Sequence, residues 1–212
     1  MSCKFCTGEV EGERCTKCGL LQYPRMLVDW EIKRLIELDI VIIEPLLELD
    51  KQLNPSGLDL HLDTQIVEIV RIRQAYLDVR DKPPLDFYKT TEIDILDKDK
   101  AYFMLHPGEL VLARSMEYVS LPPFIAGGLD GRSSLGRIGV EIHVTAGSID
   151  PGFKGHVTFE LINLGKVPVL LRPGDRVARL ILHVTEKAEK PYRGKYQYQI
   201  TSLASRLYQD YR

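Results

Sequence analysis

Between residues 57 and 184 the chain is written largely in period two, and turn-forming pairs keep interrupting it. Leu58, Leu60 and Leu62 alternate with Asp59, His61 and Asp63. Further runs cover 101–105, 109–114, 156–163, 167–171 and 177–184, separated by Pro107-Gly108, Pro122-Pro123, Pro151-Gly152 and Pro173-Gly174. Successive side chains of a strand point to opposite faces, so this spacing predicts strands rather than helices. Many short strands between turn signals predict a mainly β fold, a distorted β-barrel or jelly-roll. One short N-terminal helix is expected over about 29–38, capped by Asp29, with Ile32, Leu35 and Ile36 on one face. Residues 80–88, with Pro83-Pro84, read as a loop.

With 212 residues the chain has room for one ordinary domain and a small extra module. Hydrophobic residues make up 44% and charged residues 27%, which excludes a largely disordered chain. The most apolar stretch, 40–49, is broken by Glu44 and Pro45, so no membrane span is expected. The start, Met-Ser-Cys-Lys, has no apolar signal core, and a cytoplasmic location is expected.

Charge is unevenly spread. Residues 1–130 hold 15 Lys+Arg against 23 Asp+Glu, a net of −8, while 131–195 hold 11 against 6, a net of +5. A basic segment inside an acidic chain can gather a small anion. A solvated basic face fits the same count.

All four cysteines fall in the first 18 residues, spaced C-x2-C-x8-C-x2-C: Cys3, Cys6, Cys15 and Cys18. Two C-x2-C turns can point four sulfurs inward as a tetrahedral cage, which predicts a structural Zn2+ site. Sulfur geometry alone also admits iron, and two disulfides are a further alternative. Four Cys ligands leave no open position, so this metal is not expected to be catalytic. Zinc nucleobase deaminases need H-x-E, and none of the five histidines is followed two residues later by Glu. Residues 1–22 are taken as the cysteine module and 23–212 as the main domain, with a joint at Gln22-Tyr23-Pro24.

Three segments carry candidate chemistry. Residues 130–137, Asp-Gly-Arg-Ser-Ser-Leu-Gly-Arg, place two guanidiniums and two hydroxyls among glycines, a pattern suited to phosphate. A serine-capped basic turn would look the same. Residues 145–155 frame Asp150 and Phe153 with glycines, which can set a carboxylate beside a flat apolar wall. An Asx turn with a core Phe is the plain alternative. In 156–163, alternation puts Val157, Phe159 and Leu161 on one side and His156, Thr158, Glu160 and Ile162 on the other. Glu160 is a lone acid there: a general acid/base if half-buried, or a carboxylate on a wet sheet face.

Together these segments resemble the dCTP deaminases of the dCTP deaminase/dUTPase superfamily over most of 26–212. The signposts are Pro55-Ser56-Gly57-Leu58-Asp59, His106-Pro107-Gly108-Glu109, 131–137, 143–155, Glu160, Arg172-Pro173-Gly174 and Lys195-Tyr196-Gln197-Tyr198-Gln199. The resemblance implies a dUTPase-like barrel, a homotrimer with active sites between subunits, and hydrolysis of dCTP to dUTP and ammonia. It implies that Glu160 activates water, with Ser133 and Arg137 positioning it. Arg132, Ser133, Ser134, Tyr192 and Lys195 match triphosphate contacts and Gln199 a base contact. Asp150 matches the 3′-hydroxyl contact, and Phe153 the wall against a ribose 2′-hydroxyl. Mg2+ is expected to accompany the triphosphate, and dTTP is a candidate inhibitor. The cysteine module lies outside the family pattern, and residues 70–91 read as an insertion.

Thr145-Ala146-Gly147 followed by Ile149-Asp150 looks closer to the bifunctional subgroup, which carries dUTP on to dUMP and pyrophosphate. A dUTPase acting alone is the sister alternative, weakened by the missing glycine-rich C-terminal loop and by Glu160. A nucleotide-binding regulator that uses the cysteine module for a partner is the alternative from another class. The mixed charge of that module, with Lys4, Arg14 and Lys17 beside Glu9, Glu11 and Glu13, is a poor footprint for nucleic acid.

Overall fold

The structure is a computed structural model of the chain, and it describes all residues except 1, 4, 7, 12, 13, 20–24, 98, 202, 203 and 212. The expected joint at Gln22-Tyr23-Pro24 lies outside the described residues. A hairpin of β1 (Val10–Glu11) and β2 (Arg14–Cys15) holds the cysteine segment together. β3 (Arg25–Met26) precedes helix α1 (Asp29–Glu37), and β4 (Ile42–Glu44) follows it. A short helix α2 (Leu49–Gln52) and β5 (Leu53–Asn54) lead into β6 (Gly57–Ile69), the longest strand. Then come β7 (Tyr88–Glu92), β8 (Phe103–Leu105), β9 (Leu110–Ser120), β10 (Ile125–Gly131) and a one-turn helix α3 (Ser133–Gly136). The chain continues through β11 (Val140–Glu141), β12 (Ser148–Ile149), β13 (Lys154–Asn163), β14 (Val169–Leu171) and β15 (Arg176–Val184).

Eleven of these strands share one curled sheet whose spine runs β11-β13-β9-β6-β15-β10-β12. The curl has a local cause. β6 pairs with β15 through its first residues and with β9 through its last, with register shifts between Leu62 and Ile66 and between Arg176 and Ala178. Such bulges add twist and bend a sheet toward closure. Leu58, Leu60, Leu62, Phe159, Leu161, Leu180 and Leu182 are fully or almost fully buried inside it. Burying apolar surface of this kind is worth roughly 25 cal/mol per Å2, and it is the main force holding the barrel.

The mainly β architecture and the helix match the sequence reading; several details differ. Val28, not Asp29, is the N-cap, and its N–H is satisfied by Glu31 Oε2 at 3.3 Å. Asp29 lies inside the first turn, where a carboxylate still complements the helix dipole. Ile32 and Leu35 are buried, while Ile36 is half-buried. The loop expected through residue 88 ends one residue earlier, because Tyr88 opens β7 and pairs with Ile69. The expected turn at 131–137 contains α3.

Asp59 and His61 alternate with leucines as if one face of β6 were wet, yet both are buried. His61 Nδ1 lies 2.5 Å from Glu117 Oε1, and its N–H donates to Glu117 Oε2 at 2.9 Å. Burial pushes the Glu117 carboxyl above its usual range, against the opposing pull of these His61 hydrogen bonds.

Candidate active site

β13 keeps the alternation read from the sequence. Val157, Phe159 and Leu161 are buried in the core, and His156, Thr158, Glu160 and Ile162 are half-buried on the other face. His156, Thr158 and Glu160 line a cavity of about 430 Å3. That volume is typical of a small-molecule site.

Glu160 is held from the loop that follows β11. Its Oε2 accepts the N–H of Val144 at 2.8 Å and that of Thr145 at 3.1 Å. Oε1 takes no hydrogen bond from the described residues. One carboxylate oxygen is thus fixed, and the other is available to a water or a ligand. Thr145 enters the site through its main chain. His143, two residues earlier, lines the cavity.

The segment after Thr145 is threaded tightly. Leu129 N–H donates to Gly147 O at 2.6 Å, and a Cβ at Gly147 would lie 3.2 Å from both Leu129 O and the His143 ring. Ala146, Asp150 and Phe153 then line the cavity. Phe153 N–H closes the turn onto Asp150 O at 3.1 Å, with Gly152 at φ 90°. A Cβ at Gly152 would meet Pro191 Cβ at 2.7 Å, so this turn fits against the C-terminal segment only as glycine. Tyr192 N–H donates to Pro151 O at 2.8 Å, and the Phe153 and Tyr192 rings pack 5.9 Å apart. Gln199 is buried, pairs beside Gly155, and hydrogen-bonds Thr158 Oγ1 through its amide.

The cavity therefore gathers Glu160, Ala146, Asp150, Phe153, Tyr192 and Gln199, with Thr145 at its edge through the backbone. Arg132, Ser133, Ser134 and Arg137 are not on its lining. Arg132 is instead bound to Asp59, with Nε 3.2 Å from Oδ2. Lys195 is also off the lining, ion-paired to Asp210 at 2.5 Å. His143, His156, Thr158 and Tyr196 line the cavity but were not picked out as site residues from the sequence. For His156 and Thr158 the signal was present, since alternation places them on the Glu160 face.

At the other end of the chain the four cysteine sulfurs lie within 4.8 Å of one another, with Cys3–Cys18 at 3.6 Å and Cys6–Cys15 at 3.5 Å. Zn–S bonds near 2.3 Å put tetrahedral sulfurs about 3.8 Å apart, so the set fits a four-coordinate metal. Disulfide sulfurs would stand at about 2.0 Å. Backbone N–H groups of Phe5, Gly8 and Lys17 each approach a sulfur at 3.3 Å. Burial raises the Cys15 thiol, but N–H groups of Cys18 and Lys17 outweigh it and bring it down to about 6. For Cys3, burial wins over the Phe5 N–H and the thiol is pushed up. Phe5 packs edge-on against Phe124, ring centroids 5.4 Å apart, and so joins the hairpin to the barrel.

A family model described as dCTP deaminase-like matches residues 26–185. The "dCTP deaminase, dUMP-forming" of Methanothermobacter thermautotrophicus is 38% identical over 88% of this chain and 95% of its own length. The protein of the same name from Halobacterium salinarum is 42% identical over 83% and 91%. The solved 2′-deoxycytidine 5′-triphosphate deaminase of Agrobacterium tumefaciens shares the fold with a TM-score of 0.56 at 22% identity. That match covers 76% of this chain and about half (48%) of the other.

Proposed function

The chain belongs to the dCTP deaminase-like family, and on that premise we propose that it converts dCTP to dUMP in two hydrolytic steps. In the first, water replaces the 4-amino group and ammonia leaves. In the second, water splits dUTP into dUMP and pyrophosphate. The observation that carries this reading is the Glu160 carboxylate, with one oxygen fixed by two backbone N–H groups and the other without a hydrogen bond from the described residues, in a cavity shared with Asp150 and Phe153.

Hydrolysis at C4 needs a base for the water and then a proton at N3. A single carboxyl can take the first proton and deliver it, and pass a proton to the departing amine. Glu160 is assigned that work. Ser133 and Arg137 orient the water and polarise the reacting centre, and Gln199 reads the base. Asp150 accepts from the sugar 3′-hydroxyl and, in the second step, activates water at the α-phosphate. Phe153 fills the space that a 2′-hydroxyl would need. Mg2+ arrives with the triphosphate.

The turn 131–137 is off the lining of the Glu160 cavity, which supports a homotrimer whose sites combine segments of two subunits. Relatives named dUMP-forming favour the two-step reaction over a deaminase that stops at dUTP. Separation of the products formed from dCTP tests the proposal. The expected products are ammonia, dUMP and pyrophosphate, with no dUTP released in quantity. Accumulating dUTP would remove the second step, and untouched dCTP would remove both.

Cys3, Cys6, Cys15 and Cys18 are assigned a structural Zn2+ in a module, residues 1–22, that braces one end of the barrel. The ion supplies cross-linking between the two C-x2-C turns. Chelation is expected to lower the melting temperature by roughly 4–8 °C, the shift for a loss of about 2 kcal/mol in a chain of this size. The rate per folded trimer changes less. A melt with and without chelator, beside a metal-release assay, checks this; a rate that falls in step with released metal would contradict it.

A further inference from the structure

β9 and β13 fall out of step beside the cavity. His156 pairs with Tyr118 and Thr158 with Arg114, so β9 spends residues 115–117 where β13 has Val157 alone. The extra residues form a bulge, which breaks the ladder locally and re-aims the side chains around it. A bulge also strands main-chain groups, and a buried N–H or C=O without a partner is strongly destabilising. Ser115, fully buried, takes up these groups. Its Oγ accepts the Val157 N–H at 2.9 Å and donates to Glu117 O at 2.6 Å. Its carbonyl accepts the His156 Nδ1–H at 2.9 Å. A hydroxyl both donates and accepts, which no aliphatic side chain can do. The serine therefore plugs the bulge and sets the path of β13 from His156 to Thr158.

The segment that carries Gln199 lies along this same stretch of β13. Tyr198 N–H donates to Lys154 O at 2.6 Å, and His156 N–H donates to Gln199 O at 2.8 Å. Gln199 Nε2 donates to Thr158 Oγ1. A Cβ at Gly155 would stand 2.9 Å from Gln199 N, so the two backbones run in close contact. Gln199 is thus bonded on both sides of the bulge, through its main chain to His156 and through its amide to Thr158. A change in the step from His156 to Thr158 moves one anchor against the other. Ser115 itself is not on the cavity lining.

We infer that Ser115 is a positioning residue for Gln199: by plugging the bulge it sets the distance between the two anchors, and so the aim of the amide into the cavity. The role rests on the reading above that Gln199 contacts the base. Ser115 touches no part of the nucleotide, and what it governs is the fit of the pyrimidine ring.

A double-mutant cycle separates aiming from general damage, with dCTP binding measured by calorimetry. Gln199→Ala and Ser115→Ala are each expected to weaken dCTP about tenfold. In the Gln199→Ala background, the further effect of Ser115→Ala should fall below about twofold, because no amide is left to aim. In turnover, Ser115→Ala should raise KM by a factor similar to its loss in binding, while kcat moves by less than about threefold. Ser115→Cys, close to serine in size but a weak donor and acceptor, takes its place in the cycle if the alanine variant does not fold. Additive losses in the double variant overturn the positioning role and leave the Gln199 contact standing. Wild-type affinity in Ser115→Ala does the same. Undiminished affinity in Gln199→Ala removes the base contact and the positioning role together. Coupled losses in a protein that releases no ammonia from dCTP would keep the positioning role and remove the deaminase reading.

Discussion

Glu160→Gln is expected to fold as the wild type does, to bind dCTP, and to lose about 10²–10⁴-fold in deamination, the range for a positioned general acid/base. The amide keeps the size of the side chain, and its oxygen can still accept the N–H groups of Val144 and Thr145. What it lacks is the capacity to take a proton from water and return one to the ring. Ammonia release measures the loss, and calorimetry with dCTP measures binding. Loss of binding together with rate would recast Glu160 as a contact residue, and turnover at the wild-type rate would take it out of the mechanism.

The second large effect concerns assembly. If each site takes Glu160 from one subunit and Ser133 and Arg137 from a neighbour, two silent variants can repair each other. Arg137→Ala and Glu160→Gln should each be nearly inactive alone. Co-expressed in equal amounts and randomly mixed, they should recover about one quarter of wild-type activity, because a site is intact only when both contributing subunits supply the needed residue. Recovery is absent if both residues must come from the same chain. The geometry favours recovery, since the cavity of a single chain contains Glu160, Asp150 and Phe153 but none of residues 131–137.

The parts of this architecture that could be read in advance are those with local rules. β13 obeys strict alternation, so the cavity side of Glu160 followed from counting by two. The cysteine spacing fixed which four sulfurs could meet. β10 could not be read, because Ile-Ala-Gly-Gly-Leu-Asp-Gly has weak strand preference, and its pairing with β15 supplies the order. Asp59 and His61 mimic a wet face. Their burial depends on Arg179 and Glu117, which lie 120 and 56 positions away in the chain. Arg176 and Arg179 were visible only as part of a basic count, since nothing local reveals that both reach the Asp59 carboxylate. The separation of the serine turn from Glu160 is likewise a property of the folded chain and not of any motif.

The most direct test of the account is a structure of the Glu160→Gln protein with dCTP bound. The account predicts cytosine N3 and the 4-amino group within hydrogen-bond distance of residue 160, the deoxyribose between Asp150 and Phe153, and the serine turn of a neighbouring subunit closing over the base and phosphates. A base seated away from residue 160, or residues 131–137 of every subunit remote from the nucleotide, would contradict it.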